Sequence, residues 1–217
     1  MKKALLLLSL LTLLNGCQIQ YDGETKLVVT GKIQDELGKA VVHQKVGVTV
    51  GNGGGFFSNY DQISYGFTDD QGIYTLIFPA PKGEYSFDIE LNSDDSQLQQ
   101  KTIIAKQSNF SNYKLDLKAT TLYFKSSITS LSLVLKQLAP SKQLKNVVVE
   151  GIFATPYLYL TPQVDDSIYF QTYYSIIKNQ NVVLKYTVVD YSNAGQETNF
   201  VVSIPVKADA VVYTLSY

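Results

Sequence analysis

Apolar side chains in this chain recur at every second position, and that period admits one kind of backbone. In 85–91, Tyr85, Phe87, Ile89 and Leu91 fall on one side of an extended segment, and Ser86, Asp88 and Glu90 on the other. This is the pattern of a strand with one packed and one wet face. Tyr113, Leu115 and Leu117 repeat it against Lys114, Asp116 and Lys118, and Val46, Val48 and Val50 repeat it again. Leu131, Leu133 and Leu135 also alternate; a short helix is the competing reading, but Ser132 and the β-branched Val134 favour strand. Val211, Tyr213, Leu215 and Tyr217 alternate at the end of the sequence. Turn-forming clusters at 52–55, 69–72, 79–83, 92–96, 179–181 and 192–195 separate these runs. Many short strands at this spacing predict an all-β protein of sandwich type.

A chain of 217 residues has room for two small cores. One set of strand signals closes at Leu117 and another opens after Ala119, so the expected domains are 26–118 and 119–217, packed as two β-sandwiches. The second is expected to be immunoglobulin- or fibronectin-III-like; one larger sandwich is the alternative. All 18 basic side chains are lysines and the net charge is −1. Without the arginine fork or a basic surface, nucleic acid is not an expected partner. Sixteen tyrosines, ten phenylalanines and no tryptophan fit pleated, half-buried surfaces.

The N-terminal segment carries separate information. Lys2 and Lys3 precede an apolar run from Ala4 to Leu14, too short to span a bilayer as a helix and of signal-peptide length. It ends in Leu14-Asn15-Gly16-Cys17, which resembles the lipobox of bacterial lipoproteins. The resemblance implies cleavage after Gly16, lipidation of Cys17, and a tether over 17–25. Cys17 is the single cysteine, so an internal disulfide and a cysteine metal cluster are both excluded. An ordinary secretory signal with an incidental cysteine is the alternative. Several acyl chains on one residue hold a protein to a membrane where a single chain does so only marginally. The residue after Cys17 is Gln18 rather than Asp, which resembles the outer-membrane sorting choice, with the protein facing the periplasm or the cell exterior.

The first body domain resembles the transthyretin-like, carboxypeptidase regulatory-type family. The motifs are Val29-Thr30-Gly31-Lys32-Ile33-Gln34-Asp35 followed by Gly38, then Val46-Gly47-Val48, Thr68-Asp69-Asp70-Gln71-Gly72-Ile73-Tyr74 and Pro81-Lys82-Gly83-Glu84-Tyr85. Where that family has proline shortly after the first turn glycine, this chain has Ala40. The resemblance implies a seven-stranded Greek-key sandwich and a non-catalytic module, with no active site to transfer.

Asp69 and Asp70 are the most conspicuous candidate chemistry. Aspartate before glycine is turn chemistry, because its side chain bonds backbone two residues on and glycine accepts positive φ. Neighbours on an extended chain also point to opposite sides, which argues against an acid–base dyad. The alternative is a Ca²⁺ site built from Asp69, Asp70, Asp94 and Asp95, with Asp61, if their loops share one end of the sandwich. His43 is the sole histidine and reads as a loop residue, so zinc hydrolysis and Cys–His catalysis have no residue set. No catalytic residue and no cofactor is expected. Gly51-Asn52-Gly53-Gly54-Gly55 lacks the Lys-Ser/Thr of a phosphate loop and reads as a hairpin tip. Phe56, Phe57 and Tyr60 beside it, with Tyr157 and Tyr159 between Pro156 and Pro162, are the candidate contact surface; core packing is the alternative for each. The expectation is a non-enzymatic, lipid-tethered binding or scaffolding module of the cell envelope, its partner an envelope protein or glycan. A carbohydrate-binding accessory lipoprotein of a glycan-uptake system is the alternative.

Overall fold

Strand covers most of the computed structural model, which describes residues 19–51, 60–92, 97–162, 169–207 and 209–217. The strands are β1 (Tyr21–Asp35), β2 (Lys45–Gly51), β3 (Tyr60–Phe67), β4 (Ile73–Pro81), β5 (Ser86–Leu91), β6 (Lys101–Lys106) and β7 (Lys114–Leu122). They continue with β8 (Ile128–Lys136), β9 (Lys142–Glu150), β10 (Tyr157–Tyr159), β11 (Tyr173–Ile177), β12 (Gln180–Asp190), β13 (Gln196–Val206) and β14 (Val211–Ser216). Of the described residues, 19–92, 100–122 and 157–162 form one unit, and 97–99, 123–156 and 169–217 the other. Among the described residues no helix is long and apolar enough to cross a membrane.

The first unit consists of two sheets, ordered β4-β1-β7 and β10-β6-β5-β2-β3. Its core comes directly from the alternation. Leu27, Val29 and Ile33 of β1, Val46, Val48 and Val50 of β2, and Phe87, Ile89 and Leu91 of β5 are all buried. Phe78 and Phe87 meet at 5.8 Å between ring centroids, and Phe110 closes on Phe87 at 5.2 Å. Burying aromatic rings of this size supplies much of the apolar area that holds a sandwich together.

Three features depart from the sequence reading. Tyr21, expected in the tether, pairs with Pro81, and β1 then bulges at Gly23 before resuming at Lys26. The bulge is held by Asp22 Oδ1, which accepts from the Glu24 and Thr25 N–H groups at 2.7 and 2.6 Å. Strand β7 does not stop at Leu117. Thr30 pairs with Asp116 and Lys32 with Ala119, so one extra residue is inserted and Lys118 takes φ +56°. Beyond the insertion Thr120 and Leu122 face inward. The apparent end of the strand is thus a change of phase. Finally, Tyr157–Tyr159, read as part of the second domain, pairs in parallel with β6 in the first unit.

The second unit has sheets ordered β11-β8-β14 and β13-β12-β9. Leu131 and Leu133 of β8 pack with Tyr174, Ile176, Leu184, Ile204 and Leu215. The expected strands over 131–135 and 211–217 are both present, and they pair in parallel with each other. The hairpin β12–β13 is long, and Tyr186 stacks on Phe200 across it at 4.8 Å.

One contact explains two of the motif residues in the first unit. Gly31 lies directly opposite Tyr74, and a Cβ at Gly31 would fall 2.5 Å from the Tyr74 hydroxyl oxygen. The phenol therefore lies over bare backbone, with Tyr74 only 2% exposed. Its hydroxyl has no hydrogen-bond partner among the described residues, and burial, with Asp116 second, pushes its pKa up. Gly31→Ala is expected to cost about 1–3 kcal/mol through overpacking. Tyr74→Phe, which removes the unpartnered hydroxyl, is expected to raise stability by about 1 kcal/mol. Urea unfolding of the two variants checks both signs.

Candidate functional site

Asp69 forms a turn corner. Its Oδ1 accepts from the N–H groups of Gln71 at 2.8 Å and Ile73 at 2.9 Å. Its N–H donates to the Ile73 carbonyl, and its own carbonyl accepts from Gly72, which sits at φ +76°. A Cβ on Gly72 would lie 2.4 Å from the Ile33 carbonyl oxygen, so glycine is required there twice over. Asp35 repeats the arrangement: Oδ1 accepts from Leu37 and Lys39, both at 2.9 Å, and Gly38 has φ +79°. The two Asp-x-x-Gly sequences are the same hairpin corner made twice.

Asp70 projects outward, 3.6 Å from His43 Nε2, with the two side chains 92% and 78% exposed. An ion pair this open is screened by water and contributes little. The loop bearing His43 is tied down instead by Thr68, whose hydroxyl donates to the Val41 carbonyl at 2.7 Å and accepts from Gln44 N–H at 2.9 Å.

The calcium alternative draws no ligand set from the described residues, where no group of three or more His, Cys, Asp or Glu side chains is close enough to hold a metal. Asp61 lies near the start of β3 and Asp69 two residues past its end, and the strand from Asp61 to Phe67 alone spans about 20 Å. Asp61 accepts a 2.7 Å hydrogen bond from the Tyr21 hydroxyl, whose pKa is raised by burial and then by that bond. Asp94 and Asp95 lie outside the described residues, as do Gly16, Cys17, Phe56 and Phe57.

The structure brings the remaining contact candidates onto one surface. Pairing across the five-stranded sheet defines rows of side chains on its outer face. One row runs Tyr157, Thr102, Glu90, Gly47, Tyr65; the next runs Tyr159, Ile104, Asp88, Thr49, Gln62. Tyr60 stands in the following row, opposite Gly51. Tyrosines therefore mark both margins, Tyr157 and Tyr159 on β10, and Tyr60 and Tyr65 on β3. Phe67 joins the β3 margin and meets Tyr65 edge-on at 6.4 Å. Tyr157 and Tyr65 are 57% and 65% exposed. The margins are separated by four strand spacings of about 4.8 Å, or roughly 19 Å.

The floor between them is mostly polar, with Thr102, Glu90, Asp88 and Thr49 beside the apolar Ile104, and the Lys45 ammonium lies 5.8 Å from the centroid of the Tyr65 ring. Asp88 and Glu90 are half-buried, and burial, then the neighbouring Glu90, holds the Asp88 carboxyl above the usual carboxylate range. Gly47 presents no side chain, and the Gln62 amide lies over it; a Cβ there would fall 3.1 Å from Gln62 Nε2. Tyr65, Phe67, Asp88, Glu90 and Gln62 were not singled out from the sequence. The alternation marks Asp88 and Glu90 as facing away from the core, but strand order alone sets what flanks them.

No family model matches this chain, and no curated protein matches it. Among solved structures it is similar to a 9R-lipoxygenase from Cyanothece PCC8801, at 14% identity and TM-score 0.32, over 45% of this chain and 16% of that one. It is similar to the TIE protein of Bacillus anthracis, at 12% identity and TM-score 0.31, over 88% and 34%. It is also similar to the shaft pilin spaA of Lactobacillus rhamnosus GG, at 10% identity and TM-score 0.29, over 88% and 96%. The chain spans about a sixth of the lipoxygenase and a third of the TIE protein. Superpositions this loose carry no argument about activity or partner.

Asp88 allows a test of the floor's burial. A carboxyl with a raised folded-state pKa binds its proton more tightly in the folded chain, so its contribution to stability is full below the unfolded value and is lost as pH rises through the folded one. Asp88→Asn is therefore expected to be more stable than the parent at pH 7 and to lose that advantage near pH 3. Thermal melts of both proteins at the two pH values check this.

Proposed function

We propose that the chain is a non-enzymatic binding module of the cell envelope, held to a membrane by lipid on Cys17, and that the outer face of the five-stranded sheet is its binding surface. The observation that carries the reading is the pair of exposed aromatic margins on a sheet whose other face is already filled by the sandwich core. Rigid, amphipathic rings lose little entropy on contact and are well suited to binding. The tether reading is supported by Leu14-Asn15-Gly16-Cys17 and by the single cysteine. The location is the outer membrane, with the module facing the periplasm or the exterior.

The transthyretin-like reading of the first unit draws support from the seven consecutive strands β1–β7, to which β10 adds an eighth, and from the Asp-x-x-Gly corners shared with that family's motifs. The non-enzymatic reading draws on the exposed setting of the single histidine and on the use of Asp69 for backbone capping. A role in glycan uptake is a second reading, favoured by the tyrosines on the same face.

Cells fed an alkyne fatty acid are expected to label the parent protein, and Cys17→Ser to abolish the label and release the protein from the membrane fraction. A parent protein free in the medium with an unmodified thiol would remove the tether from this reading.

A further inference from the structure

We infer that the face between β10 and β3 takes a carbohydrate chain, laid across the strands with its sugar rings stacked on the tyrosines at both margins and its hydroxyls bonded to the floor. This rests on the reading of that face as the binding surface and names its ligand class.

The chemistry of the face selects the occupant. Protein interfaces place apolar residues at the centre and polar residues at the rim, with charge depleted from the core. Here the order is reversed. Tyr157, Tyr159, Tyr65 and Phe67 stand at the rim, and Glu90 and Asp88 occupy the middle, with the Gln62 amide reaching in from β3 toward Gly47. A protein seated here would bury two carboxylates at the interface centre and need buried cations to meet them, at a desolvation cost that often cancels the gain. Nucleic acid and anionic lipid would set their phosphates against the same two central carboxylates, since the cations of this face, Lys45 beside the Tyr65 ring and Lys106 opposite Ser86, lie off that centre. A sugar chain matches both parts. Its C–H faces are apolar and flat enough to stack on a ring, and its hydroxyls donate charge-assisted hydrogen bonds to carboxylates without bringing charge. Gly47 leaves room on β2 for the Gln62 amide, and the roughly 19 Å between margins accommodates several rings of a linear chain.

The floor also sets a specificity. Acceptors that are half-buried reward a ligand with hydroxyls at the right positions and penalise one without them, because they would be left unpaired. Neutral polysaccharides are therefore favoured over uronic-acid polymers, whose carboxylates would face Asp88 and Glu90.

The experiment uses the folded full chain on an array of neutral and acidic oligo- and polysaccharides, followed by titration calorimetry with the best neutral ligand. Saturable binding to at least one neutral class is expected. Tyr157→Ala and Tyr65→Ala are each expected to weaken it by about tenfold or more, and Tyr157→Phe, which keeps the ring, by less than about twofold. Both positions are more than half exposed, so unchanged melting temperatures establish that the fold survives. A silent array, or a hit that ignores both margins, overturns the inference. A photo-reactive side chain placed at position 65 separates the two levels of the reading. Crosslinking to a defined envelope protein, with no sugar bound, would sink the carbohydrate and leave the binding face standing. Neither sugar nor crosslink would sink both, while loss of lipid from Cys17 would touch only the tether.

Discussion

Strand β1 is the constraint on which the first unit depends. It is the middle strand of its sheet, and both neighbours come from distant parts of the chain: β4 antiparallel and β7 parallel. Its register is set by what can lie opposite Gly31, because only there does the backbone leave room for the Tyr74 ring. A slip of one residue would set that ring against a side chain and turn Val29 and Ile33 out to water. Both Asp-x-x-Gly corners act at this strand's C-terminal end. One reverses the chain after Asp35, and the other delivers β4 back at Ile73, opposite Lys32.

Most of the architecture was legible because the alternation is clean where strands are buried on one side. Val46 to Val50, Phe87 to Leu91 and Leu131 to Leu135 all face as the period predicts. The reading failed where the period itself breaks. Lys118 inserts an extra residue into β7, so the inward positions change parity, and a strand that continues looks from its sequence like one that ends. The bulge at Gly23 hid the pairing of Tyr21 for the same reason. Bulges keep a strand while erasing its periodic signature.

The candidate site was legible in parts and not as a whole. Tyr60, Tyr157 and Tyr159 could be picked as candidate contact residues from their neighbours in sequence, and the prolines around 157–160 fit the edge position that β10 occupies. That these tyrosines share one face depends on a parallel pairing between residues far apart in the chain, which no local pattern encodes. Asp88 and Glu90 could be assigned to the wet side of their strand, but the degree of their burial depends on β2 and β6 alongside. Asp69 was the reverse case: its role as a corner follows from four consecutive residues, and geometry only had to supply the hydrogen bonds.

The short strand β10 has a consequence for how the two halves of this chain persist as a pair. It follows β8 and β9 of the second unit in sequence yet completes the first unit's sheet. A gene fragment ending after β7 would encode all seven of the first unit's earlier strands and still lack one bank of the tyrosine-edged trough. Moving the leading half alone onto another protein would therefore carry the five-stranded sheet without the edge strand that bears Tyr157 and Tyr159.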